Sequence, residues 1–378
     1  MPLSKSELAR YSRHLVLNEV GLAGQEKLRA ARVLVVGAGG LGSPAALYLA
    51  ASGIGTLGLV DCDAVDLSNL QRQILYTTQD VARPKAQAAR ERLGALNPEI
   101  QVVSHAVELR AANVSGIVRE YDVILDGTDR LGTRYVVNDA CVILRKPLVS
   151  AAIHRFEGQA MTYLPGRGPC YRCLFPRAEE GIVPNCAEAG VLGVLPGVLG
   201  TIQATEAIKI ILGRGEPLVG RLLVYDALEM RFQEFRVERR RDCAVCGDRP
   251  TIRAPEDAPA GRADAAPADL QRLSPQALKE LLDMDRVPGS RVCLIDVRER
   301  QEFRAGHLEG AILIPVGELE QRLGEIPREG LPVFVCRTGV RSVHAAAIAS
   351  RNGIVATAHL EGGLRAWAAA IDPSIDVI

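Results

Sequence analysis

The sequence predicts an α/β protein of two domains, a larger one on a parallel or mixed sheet and a smaller one of the same class. Three observations carry this. A strand, a glycine-rich turn, a helix and a second strand fill Arg32 to Val60. Strand-like and helix-like runs alternate again near the end of the chain. Between these regions lies a Pro- and Ala-rich stretch with few large apolar side chains. At 378 residues the chain is longer than one ordinary domain.

Each element follows from local composition. Ser6 to Leu28 mixes polar and apolar residues in a helical pattern. Arg32-Val33-Leu34-Val35-Val36 is a short β-branched run, suited to a sheet covered on both faces. Gly37-Ala38-Gly39-Gly40-Leu41-Gly42 makes the turn, Ala45 to Ala51 a helix, and Thr56 to Val60 a second strand ending at Asp61. This βαβ order requires a right-handed crossover and a parallel pair of strands. Ile100 to Ser104 and Val123 to Leu125 read as further strands. In the second half, Val292 to Asp296 and Val333 to Val335 are strands and Ser342 to Ser350 is a helix. Residues 249–270, with Pro250, Pro255, Pro259 and Pro267, read as a linker between domains 1–248 and 271–378.

Composition narrows the function classes. With 48% hydrophobic and 24% charged residues, the chain has enough apolar content for a core. Lys+Arg 45 balances Asp+Glu 45, so no global basic field holds nucleic acid or an anionic membrane. Met1 to Arg10 carries Lys5, Glu7 and Arg10 and has no apolar signal core. The charge-free stretch Leu41 to Val60 is broken by Gly42, Pro44, Gly53, Gly55 and Gly58, which a membrane helix would not be. The expectation is a cytoplasmic protein with neither nucleic-acid nor membrane partners. Nine scattered cysteines, an odd number, do not make a disulfide framework.

Gly37, Gly39 and Gly42 fit G-x-G-x-x-G between a strand and a helix, where backbone N–H groups approach a phosphate. Asp61, 19 residues past Gly42, stands where an acidic residue binds ribose hydroxyls. These residues alone support an NAD-dependent dehydrogenase equally well. The cations that follow tip the reading. Arg72 lies in Ser68-Asn69-Leu70-Gln71-Arg72-Gln73, Lys85 follows Pro84 at a helix start, and Asp126 and Asp129 follow a strand. Breaking the α–β phosphate bond of ATP needs cations on the leaving pyrophosphate and a carboxylate for Mg²⁺. Taken singly, Arg72 or Lys85 is an ordinary surface charge.

Cys170-x-x-Cys173 and Cys243-x-x-Cys246 offer four thiolates, enough for a closed tetrahedral zinc site of structural type. Four unrelated thiols or a redox pair are the other readings. Cys186, in a glycine-rich segment, is either a nucleophile or a small buried residue. Cys336 follows a strand and opens the loop Arg337-Thr338-Gly339-Val340-Arg341 before a helix. Loop N–H groups, the helix N-terminus and the two arginines favour the thiolate. Such a thiolate accepts sulfane sulfur and holds it as a persulfide. A phosphate-binding loop with an incidental cysteine is the alternative, but Arg341 is one residue too near for a C-x5-R pattern.

Arg10-Tyr11-Ser12-Arg13, Gly37 to Gly42, Asp61, Ser68 to Gln73, Lys85 and Gly127-Thr128-Asp129 together resemble the MoeB/ThiF group of adenylating enzymes, relatives of the ubiquitin-activating enzymes. The resemblance implies a Rossmann-like fold. It implies an ATP site formed by the turn with Gly40, Asp61, Ser68, Asn69, Arg72, Lys85 and Asp129, with Mg²⁺ on Asp129. It also implies a homodimer in which Arg13 reaches the partner's site, zinc on the four paired cysteines, and a covalent bond between Cys186 and a carrier. Arg130 departs from the asparagine common in the group. In the second half, Leu294 to Glu299, Glu302-Phe303, Gly306 to Ala311, Cys336 to Arg341 and Glu361 to Leu364 with Trp367 resemble the rhodanese-like domains. Retention of Cys336 implies an active one, with His307 structural and Asp296 and Arg298 bracing the loop.

The fusion resembles MoeZ-like adenylyltransferase/sulfurtransferases. It implies that ATP adenylates the C-terminal Gly-Gly carboxylate of a small ubiquitin-fold, MoaD/ThiS-like sulfur carrier. Sulfur from a Cys336 persulfide then converts the adenylate to a thiocarboxylate, for molybdopterin synthesis, tRNA thiolation or a similar pathway. Thiosulfate or a cysteine desulfurase would supply the sulfur. The alternatives are adenylation beside an independent rhodanese activity, a carrier-docking module without chemistry, and the dehydrogenase.

Overall fold

The computed structural model describes residues 2–176, 190–257, 267, 269–284, 292–327, 329–354 and 357–377. The chain divides into two compact units, Met1–Ala260 and Gly261–Ile378.

The first unit opens with α1 (Lys5–Arg10), α2 (Ser12–Leu15) and α3 (Gly21–Ala30), where the sequence predicts one helical stretch. The break before α3 lies at Gly21, whose φ of +55° no continuing helix adopts. β1 (Arg32–Val36), α4 (Gly42–Ala51) and β2 (Thr56–Val60) form the expected βαβ unit. After them come α5 (Lys85–Leu96), β3 (Gln101–His105), α6 (Ala111–Arg119), β4 (Val123–Asp126), α7 (Leu131–Ile143) and β5 (Leu148–His154). The unit closes with β6 (Glu157–Tyr163), α8 (Tyr171–Leu174), α9 (Leu195–Leu212), β7 (Arg221–Asp226) and β8 (Arg231–Arg236).

The strands make one mixed sheet in the order β3-β2-β1-β4-β5-β6-β7-β8. Pairing is parallel from β3 to β5 and antiparallel from β5 outward. Val33 to Val36 are essentially fully buried in the parallel half, each stabilising the fold by about 1.5–3 kcal/mol. The strand order reverses between β1 and β4, which opens a crevice at the strands' carboxyl ends.

Helix α9 has the length and hydropathy of a membrane span, but here it packs on α4 and β5, with half of it buried. Its Gln203 Nε2 donates to the carbonyls of Asp126 (2.8 Å) and Val149 (3.1 Å), tying β4 to β5 at the crevice floor. The described first part of the Pro-rich stretch lies on this unit. Ile252 packs against the core, and Asp257 Oδ1 accepts from the Ala111 N–H at 2.7 Å.

The second unit contains β9 (Gln271–Leu273), α10 (Pro275–Met284), β10 (Val292–Asp296), α11 (Arg300–Ala305), β11 (Ile312–Leu313) and α12 (Leu319–Arg322). It continues with β12 (Leu331–Val335), α13 (Val340–Arg351), β13 (Ala358–Leu360) and α14 (Gly363–Ala370). Its five strands are all parallel, in the order β11-β10-β12-β13-β9. Cys336 therefore leaves the carboxyl end of the central strand.

Candidate functional site

Three glycines of the β1–α4 turn, Gly37, Gly40 and Gly42, leave little or no room for a side chain. Gly37 has a φ of +84°, and a Cβ there would lie 3.1 Å from the Gly127 carbonyl. A Cβ on Gly42 would fall 1.9 Å from the Gly37 oxygen, and one on Gly40 would lie 3.2 Å from Pro196. Bare backbone is thereby left at the start of α4, as phosphate binding requires. Asp61, at the end of β2, accepts from the N–H groups of Ala38 and Asp63, both at 2.9 Å. Burial raises its pKa; the Lys85 charge and those two N–H groups oppose this.

Lys85 begins α5 and is only 6% exposed. Its Nζ lies 3.3 Å from Asp63 Oδ2, and Asp63 also faces Arg130 Nη2 at 3.5 Å. Arg130 further pairs with Glu108 at 3.3 Å. Arg72 Nη1 donates to the Ser68 carbonyl (3.0 Å), Ser68 Oγ donates to Asp66 Oδ1 (2.6 Å), and Asn69 Oδ1 accepts from the Asp66 N–H (3.3 Å). Ser68, Asn69 and Arg72 thus share one capped turn.

The structure separates the two carboxylates after β4. Asp126 is buried and takes Thr128 N–H (3.0 Å), Thr128 Oγ1 (2.9 Å) and Ser150 Oγ (3.2 Å), with Arg134 Nη1 at 3.6 Å. Asp129 is exposed and has no side-chain partner among the described residues. Asp126 holds the loop, and Asp129 is free to take a cation. Arg134, which also donates to the Thr128 carbonyl, went unread in the sequence; its place in the first turn after the loop was the available signal. Arg13 sits exposed on α2 and bonds to none of these groups within the chain.

The four paired cysteines converge. Their sulfurs lie within 4.8 Å of one another, with Cys170–Cys243 at 3.7 Å and Cys173–Cys246 at 3.4 Å. Zinc–sulfur bonds of about 2.3 Å in a tetrahedron place sulfurs about 3.8 Å apart, whereas a disulfide needs about 2.05 Å. The donor set therefore fits zinc. Asn138 Nδ2 (3.9 Å to Cys170 Sγ) and the Arg240 N–H (3.4 Å to Cys173 Sγ) point at the sulfurs, as outer partners of a thiolate site do. Cys186 lies outside the described residues.

In the second unit Cys336 is fully buried. The Gly339 N–H donates to its Sγ at 3.1 Å, and Ser342 Oγ lies 3.6 Å away. Gly339 has a φ of +97° and leads directly into α13. Leu364 N–H to Cys336 O (2.8 Å) and Arg365 N–H to Arg337 O (3.0 Å) close α14 over the loop. A Cβ on Gly363 would meet the Cys336 oxygen at 2.4 Å, which explains the Gly362-Gly363 pair.

Arg341 is not turned to the sulfur as a free charge. Its guanidinium makes a two-pronged pair with Glu302, both contacts at 2.7 Å. Arg298, wholly buried, pairs with Asp296 (2.8 Å) and donates to the Gly306 carbonyl (2.6 Å), bracing the segment that carries Glu302. His307 stacks on Phe303, and its Nδ1 donates to the Phe303 carbonyl at 2.8 Å.

A turn of bare backbone with Arg72 beside Gly40, a buried Lys85 held by Asp63, an Asp129 with no side-chain partner among the described residues and a loop-held cysteine on a second unit suit a nucleotide-using transferase with a thiol-bearing domain. Residues 11–245 match the ThiF family and residues 274–370 the rhodanese-like domain. A probable adenylyltransferase/sulfurtransferase MoeZ of Mycobacterium tuberculosis is 44% identical over 381 residues, 99% of this chain and 96% of that protein. The adenylyltransferase and sulfurtransferase MOCS3 of Aedes aegypti is 40% identical over 99% of this chain and 90% of its own length. A sulfur carrier protein adenylyltransferase of Thermus thermophilus is 53% identical over 67% of this chain and 96% of its own length. Among solved structures, E. coli MccB with ATP superposes with a TM-score of 0.56 at 27% identity, covering 63% of this chain and 75% of that one. The chain belongs to the ThiF family and carries a C-terminal rhodanese-like domain. It is an adenylyltransferase and sulfurtransferase that uses ATP.

Proposed function

We propose that residues 1–248 adenylate the C-terminal Gly-Gly carboxylate of a MoaD/ThiS-like sulfur carrier and that residues 271–378 supply the sulfur that turns it into a thiocarboxylate. The observation that carries this is the presence on one chain of the bare-backbone turn at Gly37 to Gly42, with Arg72 beside it, and the loop-held Cys336.

A carrier carboxylate oxygen attacks the α-phosphorus of ATP, the bond to the β-phosphate oxygen breaks, and pyrophosphate leaves with the electron pair. Arg72 and Lys85 neutralise the charge on that leaving group. Lys85 is poised for this because its partner Asp63 is half-exposed, so phosphate oxygens can take the ammonium over. Asp61 binds the ribose hydroxyls, and Ser68 and Asn69 line the same wall. Asp129 is the residue that would hold Mg²⁺, which screens the phosphate charge when bound. Arg13 acts from a second copy, in a homodimer. The four paired cysteines hold zinc for structure alone.

The Cys336 thiolate attacks the sulfane sulfur of thiosulfate, whose S–S bond breaks and releases sulfite, or that of a cysteine desulfurase persulfide, which releases that enzyme's cysteine thiolate. The outer sulfur of the Cys336 persulfide attacks the acyl carbon, the carbon–oxygen bond to phosphate breaks, and AMP leaves. A second thiolate then attacks Cys336 Sγ, which breaks the sulfur–sulfur bond and frees the thiocarboxylate. The free thiols, including exposed Cys62, suit a reducing, cytoplasmic setting.

Pyrophosphate exchange into ATP tests the first half. It should appear with a MoaD/ThiS-like carrier and vanish when the carrier's final glycine is deleted. Exchange that ignores that glycine would sink the proposal.

A further inference from the structure

Behind Cys336 lies a buried polar pair that the sulfur chemistry above leaves unused. Ser342, in the first turn of α13, is fully buried, and its Oγ donates to the Gly339 carbonyl at 2.9 Å. The same oxygen lies 3.6 Å from Cys336 Sγ and 3.3 Å from His359 Nδ1. His359 is in β13, beside Phe334 of β12, and is 5% exposed. Its Nε2 is buried and has no hydrogen-bond partner among the described residues.

The proton count assigns the tautomer. A hydroxyl has one proton and two lone pairs. Ser342 gives its proton to Gly339, so the His359 contact must run from Nδ1–H to the serine oxygen, leaving Nε2 a bare lone pair. An N–H at Nε2 would be a buried donor with no acceptor, the costlier arrangement. Burial keeps the imidazole below its ordinary pKa, the charge of Arg272 on β9 adds to this, and Glu361 opposes it.

We infer that His359 is a positioning residue for sulfur transfer: by donating to Ser342 Oγ, it holds and polarises the hydroxyl that turns onto Cys336 Sγ whenever that sulfur is anionic. This rests on Cys336 being the sulfur-carrying group. When an acceptor such as cyanide attacks the outer sulfur of the persulfide, the bond to Sγ breaks and its electron pair stays on Sγ, the same thiolate from which loading by thiosulfate starts. The outer sulfur joins the acceptor, and no proton is gained or lost. At that moment the Ser342 proton swings from the Gly339 carbonyl to the new thiolate, which already accepts from the Gly339 N–H. His359 keeps the serine oxygen saturated in both positions. Arg337 and Arg341 are the loop's own charges, and Arg341 is already committed to Glu302.

The test is the pH–rate profile of sulfur transfer from thiosulfate to cyanide by the full chain, read with circular dichroism melts. Ser342→Ala should lower the rate near neutral pH about tenfold and displace the profile to higher pH by about one unit, the worth of a hydrogen bond to a charged group. Ser342→Thr should restore it. His359→Asn, whose amide N–H replaces Nδ1–H, should stay near the native profile. His359→Gln, which puts its amide at the Nε2 position, and His359→Leu should move it in the direction of Ser342→Ala. Adding His359→Leu to Ser342→Ala should change nothing more. Because the Asn and Gln variants differ by one methylene, they carry the test even if the Leu variant fails to fold. Equal profiles for Asn and Gln, or a further loss in the double variant, would overturn the inference. A native protein that moves no sulfur to cyanide would instead defeat the assignment of Cys336, and this inference with it.

Discussion

Replacing Glu302 by Gln isolates what Arg341 does. The native pair has two contacts of 2.7 Å, with side-chain exposures of 8% for Arg341 and 16% for Glu302. Glu302 also accepts from the Glu299 N–H at 2.9 Å, so it caps α11 as well. The amide keeps the shape, removes the negative charge and leaves a guanidinium buried without its counter-ion. Removing one partner of a buried pair costs about 3–5 kcal/mol, and the residual exposure argues for about 3. For a unit of this size that lowers the melting midpoint by about 10–20 °C. Thermal inactivation of thiosulfate-to-cyanide sulfur transfer reads the effect. Inactivation of adenylation in the same sample should not move. The pH dependence has a fixed sign. Burial alone would raise the Glu302 pKa, but the hydrogen bonds and charge of Arg341 outweigh it and hold the carboxyl below its ordinary 4.5. A depressed carboxylate stabilises the fold fully above its unfolded pKa and loses that contribution as pH falls through the folded value. The Gln variant lacks this acid-side loss. A midpoint within about 2 °C of native would show that the pair is worth no more than a surface ion pair, and that the loop is held by other means.

Two further substitutions address the first unit. Gly42→Ala places a methyl 1.9 Å from the Gly37 oxygen, so the turn must shift by about an ångström and pyrophosphate exchange should fall about a hundredfold. Exchange within about threefold of native would show that the turn does not hold the phosphates. Cys170→Ser removes one of four converging sulfurs, so elemental analysis should find one zinc fewer per chain and adenylation should melt out at a lower temperature. Undiminished zinc would place the metal elsewhere.

The parallel half of the first sheet was legible because β1 and β2 are short β-branched runs joined by glycines whose positions only bare backbone fits. The cysteine pairs were legible because their spacing is itself the ligand geometry. The antiparallel half was not. Glu157–Tyr163 carries no long apolar run, and Arg231–Arg236 is exposed along its whole length, so neither shows the pattern of a buried strand. Long-range pairing was hidden for the same reason. Arg341 read as a charge for the sulfur, yet its partner Glu302 lies 39 residues earlier and no local pattern connects them. Ser342 and His359 meet only because β13 pairs beside β12. The resemblance put Mg²⁺ on Asp129 and gave Asp126 no role; only burial shows Asp126 as the carboxylate that holds the loop.

The most direct test of the coupled reaction is the intact mass of a MoaD/ThiS-like carrier after incubation with Mg-ATP, thiosulfate, a thiol reductant and this protein, native or Cys336→Ala. The native protein should shift the carrier by one oxygen replaced with sulfur, while Cys336→Ala should release pyrophosphate and leave that mass unchanged. A thiocarboxylate formed equally by Cys336→Ala would contradict the account, because the sulfur would then reach the adenylate without the second unit.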